Sequence, residues 1–586
     1  MLDLMAEQGY ISAAEAKTAK EDEVVIRQRR ENITAPHFVF WVKQLLTETY
    51  GERLVEQGGL KVITSLDFEK QQAAEEAVVA GIKKIEEKGG SNASLVAIDP
   101  HSGQILAMVG SRDYFDTEHD GAVNVALRPR QPGSSFKPIV YAAGFMKGYT
   151  PTTILYDVVT TFKTDAKNYE PKNYNLNEYG PVTIRQALAG SLNIPAVKML
   201  YLTGVNRVLD FADQLGYTTF GDRSRFGLSL VLGGGEVKLL EHTAAFGTFA
   251  SEGLRYDPAA ILRVEDPQGK VLEEWRPKEG QRVFDQEVAR QVTDILQDNG
   301  ARSYIFGAAN SLTVPGRQAA AKTGTTNNYH DAWTVGYVPS LVAGVWVGNN
   351  NNDEMGRGAD GSVVAAPIWQ QFMKNALADA PMEGFTAPQP VVTGKPVLDG
   401  QVGGGAVVRI DRASGMLATE YTPPEWVEER TFYEPHSILH FINKDDPRGE
   451  PPADPAADPY YNDWEAAVRR WAETNTGEIT YTSPPTEYDT LHNPENRPQL
   501  VIEQPSPGTI TEDNTLIVRI QVSAPRGVSK IQYIVDGVIV GERTSYPFDG
   551  GIILPEDLPK GFHILTVIAS DDIENKTFID TSFFTQ

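Results

Sequence analysis

Three apolar runs between residues 319 and 348, AAAKTGT, AWTVGYV and LVAGVWVG, are separated only by the polar turn TNNYHD and by Pro339-Ser340. Parallel neighbours need a crossover of about a dozen residues or more, so strands joined this tightly pair antiparallel. A second pair, in ASLVAIDPHSGQILAMVG, turns at Asp99-Pro100-His101-Ser102-Gly103 and reads as a β-hairpin. Helical spacing alternates with these strands. From Asp67, a candidate N-cap, Ala74, Val78, Ile82 and Ile85 recur on one face. The Pro132-Gly133 break is followed by a buried-helix pattern of Ile139, Val140, Ala142, Ala143 and Phe145. The result is an α/β (α+β) multi-domain chain.

Its 586 residues allow two to four domains. Residues 1–60 are polar and helical and read as the end of something larger. Mixed signals over 61–380 form the main domain. Residues 381–498 are rich in Pro, Gly and Asp, as in DDPRGEPPADPAADP, with one helix candidate, WEAAVRRWAE, and read as a partly ordered linker. Over 499–586, runs such as LIVRIQVSA and HILTVIAS between turn residues predict a small β-sandwich. A net charge of −25 argues against nucleic acid or acidic lipid as a partner of the bulk surface. With no cysteine there is no disulfide, thiol nucleophile or thiolate metal site. The nine histidines form no H-E-x-x-H, and no metal or other cofactor is expected. There is no G-x-S-x-G elbow, and LVLGGGEVKLL lacks the P-loop lysine, so it reads as a tight turn feeding a packed helix from Lys238.

The chemistry concentrates in three short words. RQPGSSFKP places Ser134 and Lys137 in the first turn of a helix, where residues i and i+3 share a face, so Ser134 meets the lysine and Ser135 points elsewhere. ALAGSLNIPAVK supplies Ser191 and Asn193 at a loop–helix junction, and AAAKTGT supplies Lys322, Thr323, Gly324 and Thr325 on a strand. Each alone has a plain alternative: a capped helix at Ser134, a helix cap at Asn193, an exposed strand lysine at 322. In this order they form the Ser-x-x-Lys, Ser-x-Asn, Lys-Thr-Gly set of penicillin-recognising serine enzymes. Acyl transfer needs a base beside the serine, which Lys137 becomes only if burial or a second cation lowers its pKa. Lys322 is that second cation. Ser191 can relay a proton and Asn193 can orient Lys137 and a peptide group. Thr323 and Thr325 point to one side of their strand toward a carboxylate that Lys322 attracts. Gly324 lets a ligand backbone approach. Backbone N–H groups of Ser134 and Thr325 would hold the oxyanion.

With these flanking words, and with GVWVGNN and AAPIWQQFM, the chain resembles the class A penicillin-binding proteins from its N-terminus to about residue 375. The resemblance implies a penicillin-recognising serine transpeptidase fold, an antiparallel sheet with helices on both sides, with a C-terminal immunoglobulin-like domain. It implies Ser134 as the acyl-forming nucleophile and Lys137 as its base, with Ser191, Asn193, Lys322, Thr323 and Gly324 completing the site. The implied partners are D-alanyl-D-alanine stem peptides of peptidoglycan, β-lactams that acylate the same serine, and other cell-wall synthesis proteins. The implied location is the extracytoplasmic face of the bacterial membrane. Residues 1 to about 25 resemble only the last helices of the family's glycosyltransferase domain, so no glycan polymerisation and no membrane anchor are expected of this chain. The expected reaction is D,D-transpeptidation with carboxypeptidase side activity. The alternatives are a non-enzymatic β-lactam sensor or wall-binding scaffold and, third, a β-lactamase.

Overall fold

The computed structural model describes residues 1–22, 33–163, 168–402, 406–432, 434–475 and 484–586. The elements that bear on function are, in chain order, α1 (Phe68–Glu86), β1 (Asn92–Ile98), β2 (Ile105–Val109), α2 (Lys137–Lys147), α3 (Asn193–Thr203), α4 (Leu239–Ala250), α5 (Asn299–Phe306), β3 (Ala320–Thr325), β4 (Asp331–Val338), β5 (Leu341–Gly348) and α6 (Ala366–Ala376). The chain divides into one compact unit of residues 1–142 and 205–388 and a second of residues 143–204 and 389–586.

The first unit is organised by a five-stranded sheet in the order β3-β4-β5-β1-β2. All its ladders are antiparallel, with Lys322 opposite Val335, Gly324 opposite Trp333 and Val345 opposite Leu95. Both predicted strand sets are present, and the Asp99–Gly103 turn joins β1 to β2 with Gly103 at φ 77°. Every residue of β1, β4 and β5 is buried, because both faces of the sheet are covered. Ala74 and Val78 of α1 and Ile368, Trp369 and Phe372 of α6 belong to the core over one face. On the other face α4 comes so close that a β-carbon on Gly344 would lie 2.2 Å from the Thr243 hydroxyl. Asp67 caps α1 as predicted, accepting the Lys70 N–H at 3.0 Å. The polar N-terminal stretch is helical over Leu2–Glu7, Ala13–Glu21, Pro36–Tyr50 and Glu52–Gln57; residues 23–32 of it lie outside the described residues.

The start of α2 differs from the sequence reading. Ser134 lies not in the α-helix but in a 3-10 turn, Gly133–Phe136, and the α-helix begins at Lys137. Pro138 explains the shift: lacking an N–H, it is accommodated where an α-helix has no intrahelical acceptor for one, at its start. The apolar residues chosen from the pattern, Ile139, Val140, Ala142, Ala143 and Phe145, are all buried.

In the second unit, residues 389–498 carry more structure than a linker. Ala406–Asp411 pairs with Val427–Phe432 in a hairpin, and Tyr461–Thr474 is an amphipathic helix that contains the predicted WEAAVRRWAE. The helix buries Ala467, Val468 and Trp471 against Tyr156 and Val158. Composition hid this because the segment's core is a few aromatic residues set among prolines and aspartates. Residues 403–405, 433 and 476–483 of the stretch lie outside the described residues. From Gln499 a three-stranded sheet and a five-stranded sheet enclose a separate core of Leu516, Val518, Ile531, Tyr533, Leu565, Val567 and Phe583. Among the described residues no helix is long and apolar enough to cross a membrane.

Because this sandwich has its own core, residues 484–586 expressed alone are expected to fold. A sigmoidal thermal melt followed by circular dichroism is the expected result, and a featureless, non-cooperative melt would contradict it.

Candidate active site

The 3-10 turn that carries Ser134 is fixed by backbone rather than by side chains. Gly133 takes φ 56°, and a β-carbon there would lie 2.5 to 2.7 Å from the backbone of Thr325 on β3. Gly233, the first glycine of the run read as a tight turn, takes φ 86°; a β-carbon on it would lie 2.2 Å from the Gly133 nitrogen. The glycine run therefore does precede a packed helix, as read, and it also backs the turn that carries Ser134. On β3, a β-carbon at Gly324 would meet the Pro132 carbonyl oxygen at 2.1 Å and the Ser135 nitrogen at 3.0 Å. The first and third words of the motif set thus touch through glycines.

The side chains of this turn differ in burial. Ser134 is partly exposed, Ser135 is fully buried, and Lys137 is buried at the first position of α2, its N–H donating to the Ser134 carbonyl. Lys322 is 3% exposed, which disposes of the exposed strand lysine. Burial, and secondarily the charge of Arg302, pull Lys322 down to about 7. Arg302, on α5, was not singled out from sequence. It is 2% exposed, donates to the Leu296 carbonyl, and among the described residues its Nε and Nη1 have no hydrogen-bond acceptor. Burial pulls its pKa down to about 10.

Thr325 accepts the Gly361 N–H on its Oγ1 at 3.0 Å, which leaves its one hydroxyl proton to donate elsewhere. Thr326 N–H donates to the Asp331 carbonyl across the ladder. Backbone groups alternate sides along a strand, so the Thr325 N–H points off the open edge of β3, toward the Gly133–Ser134 turn packed there.

The second word is built within the other unit. Ser191 has φ 58°, the left-handed region, where a non-glycine residue costs about 1 kcal/mol. It ends the helix Ile184–Ala189 in a Schellman closure: Ser191 N–H donates to the Leu188 carbonyl and Leu192 N–H to the Ala187 carbonyl. Helix α3 starts two residues later, and its N-cap, Leu192, offers no side-chain acceptor. Asn173 supplies it from a distance, its Oδ1 accepting the Asn193 N–H at 2.8 Å. Asn193 is thus the first residue of the helix and not its cap, and its Nδ2 donates to the Lys172 carbonyl at 2.9 Å. Asn173 is in turn clamped by donating to both oxygens of Asp157, at 2.9 and 2.7 Å. Burial pushes Asp157 up to about 6 and Lys198, which donates to the Tyr156 carbonyl, down to about 7. Neither Asp157 nor Asn173 was legible in the sequence, since both act through folds of the chain 20 to 36 residues before Asn193.

Comparison with known proteins follows this geometry. Residues 93–374 match the penicillin-binding protein transpeptidase domain and residues 498–567 a bacterial Ig domain. Those two matches define the class: a penicillin-binding transpeptidase domain followed by an Ig-like domain. The chain is homologous to penicillin-binding proteins 1A. It is 30% identical over 471 residues to penicillin-binding protein 1A of Aquifex aeolicus, covering 66% of this chain and 63% of that protein. It is 32% identical over 406 residues to penicillin-binding protein 2D of Bacillus subtilis, covering 66% of this chain and 56% of that one. The chain thus spans rather more than half the length of these relatives. The structure of PonA1 from Mycobacterium tuberculosis in complex with penicillin V superposes with a TM-score of 0.54 at 27% identity, over 61% of this chain and 97% of that one. Penicillin-binding protein 1A of Haemophilus influenzae, at 22% identity and a TM-score of 0.55 over 73% of this chain and 80% of that one, shares the fold.

The depressed pKa of Lys322 has a sign that can be checked. An unfolded lysine keeps its proton to about 10.5, so between pH 7 and 10.5 the unfolded chain binds more protons and stability rises with pH. Lys322→Met is expected to flatten part of that rise in denaturant titrations, Lys198→Met another part, and Arg302→Met to move the Lys322 midpoint upward. An unchanged slope in Lys322→Met would contradict the assignment.

Proposed function

We propose that this chain is a peptidoglycan D,D-transpeptidase working through an acyl-enzyme on Ser134. The observation that carries the reading is the junction of Ser134, on a glycine-fixed turn with buried Lys137 three residues on, against the open edge of the strand bearing Lys322, Thr323, Gly324 and Thr325. A strand with a free edge accepts an extended peptide by main-chain pairing. The terminal carboxylate of a D-alanyl-D-alanine stem peptide pairs with Lys322 and with the hydroxyls of Thr323 and Thr325.

Ser134 Oγ attacks the carbonyl carbon of the penultimate residue as its proton passes to Lys137 Nζ. The oxyanion is met by the N–H groups of Ser134 and Thr325. The C–N bond then breaks, and the departing D-alanine amine takes a proton. By its place in the motif set, Ser191 is the hydroxyl that relays it, with Asn193 orienting the lysine and the donor peptide. An acceptor amine attacks the Ser134 ester, gives up a proton to Lys137 and expels Ser134 Oγ–H, leaving a new peptide bond. Water in place of the amine gives carboxypeptidase activity. A β-lactam enters at the same step with its ring amide as the bond broken. Such chemistry places the protein on the extracytoplasmic side of a bacterial membrane, among other cell-wall synthesis proteins.

Exposure to penicillin is expected to add one ligand mass, mapped to Ser134, that persists for hours. Ser134→Ala is expected to take no label. Lys137→Arg should acylate about 100-fold more slowly, because guanidinium keeps its proton. With a stem-peptide donor, an added D-amino acid should yield exchange product at the expense of hydrolysis. A label on Ser135, or penicillin turned over rapidly with no exchange, would refute the reading; acylation without any exchange or hydrolysis would leave a β-lactam sensor in its place.

A further inference from the structure

Behind the nucleophile turn runs a line of three buried side chains that the steps above do not use. Ser135 Oγ lies 2.6 Å from the Pro132 carbonyl oxygen and 2.9 Å from His242 Nε2, and His242 Nδ1 lies 2.7 Å from the Tyr217 hydroxyl. Ser135 and His242 are completely buried and Tyr217 nearly so.

The direction of each hydrogen bond follows from its neighbours. Two oxygens 2.6 Å apart need a proton between them, and a carbonyl has none, so the Ser135 hydroxyl donates to Pro132. Its single proton thus engaged, Ser135 accepts from His242 Nε2–H. Nδ1 of the ring then carries a lone pair, and Tyr217 O–H donates to it. The line is neutral and closed: Tyr217 to His242 to Ser135 to Pro132. Burial pushes His242 down to about 3, consistent with a ring that stays uncharged. Phe246 and Trp333 pack edge-on against the ring, with centroids 5.1 and 5.7 Å away, and Trp333 Nε1 donates to the Gln131 carbonyl at 2.7 Å.

The Pro132 end of this line bears on Ser134. The Pro132 carbonyl takes the Ser135 N–H at 3.2 Å as well as its hydroxyl, so the two bonds close the turn around Ser134. An imidazole buried here is harder to desolvate than an apolar side chain of its size, and it brings orientation in return. We propose that His242 is a positioning residue for acyl transfer: its Nε2–H, acting through Ser135, locks the Pro132–Ser135 turn and thereby sets the Oγ and N–H of Ser134 against the Thr325 N–H. This rests on the acyl-transfer reading above. His242 touches no substrate; its effect belongs in the acylation step and not in initial binding.

The test measures the acylation rate constant and the pre-acylation dissociation constant separately, with a fluorescent penicillin, on the full chain. His242→Leu and Ser135→Ala are each expected to slow acylation at least about tenfold, since small misplacements of a nucleophile have large effects, with the dissociation constant within about twofold of the wild type. His242→Gln, whose amide N–H can reach Ser135, should recover to within about threefold. The double variant Ser135→Ala/His242→Leu should be no slower than the slower single, because both changes break one line. His242→Leu acylating at the wild-type rate, a double variant whose effects multiply, or a loss confined to the dissociation constant overturns the proposal. If His242→Leu does not fold, Tyr217→Phe and Ser135→Ala decide: slower acylation with unchanged binding supports it, and wild-type rates overturn it. Absence of any Ser134 adduct in the wild type would remove the acyl-transfer reading and this proposal with it, whereas normal wild-type acylation with insensitive variants removes this proposal alone.

Discussion

The site depends on three backbones meeting where no side chain fits. Thr325 occupies the space that a β-carbon on Gly133 would need, and Gly133 occupies the corresponding space of Gly233. This contact fixes the distance between the turn and the edge of the sheet more rigidly than side-chain packing could, because main chain cannot change rotamer. Everything around it serves to keep β3 still: β4 and β5 are buried along their whole length, and α1, α6 and α4 close both faces. The Ser134 turn and the Thr325 backbone, proposed above as nucleophile and oxyanion donor, are then set by one steric fact.

Charge is arranged in the opposite manner on the outside and inside of this protein. The chain carries a net charge of −25, yet three basic side chains, Lys137, Lys322 and Arg302, are buried around the first and third words, with the Asp331 side chain buried at the start of β4. Burying a cation is costly unless something answers it. Burial pulls Lys322 down to about 7, with Arg302 adding to the shift. On the proposed reading, an incoming carboxylate would answer the charge of Lys322 and offset part of that cost. The same logic separates Asp157 and Lys198 in the other unit, where the two buried groups moderate one another while supporting Asn173.

What the sequence disclosed and what it withheld divide along one line. Short-range features were legible: the hairpins, because their turns are too short for any other pairing, and the Asp67 cap, because its partner is three residues away. Features that depend on distant partners were not. His242 lies 107 residues from Ser135, and Tyr217 and Asn173 act on residues 25 and 20 positions away. No periodicity joins such pairs. The 3-10 start of α2 could have been read more closely from Pro138. The structure of residues 389–498 was masked by a composition in which a few tryptophans and tyrosines do the packing.

Ser191 shows what such a site asks of its scaffold. The Schellman position it fills is one that glycine occupies without strain, whereas serine there bears the cost of the left-handed backbone. Backbone relaxation and retention of a hydroxyl therefore pull this position in opposite directions: the replacement that most relaxes the chain is the one that deletes the hydroxyl proposed as the relay. Searches for more heat-resistant forms of the protein, if guided by melting temperature alone, would be drawn to this residue and would give up the proton relay proposed for it.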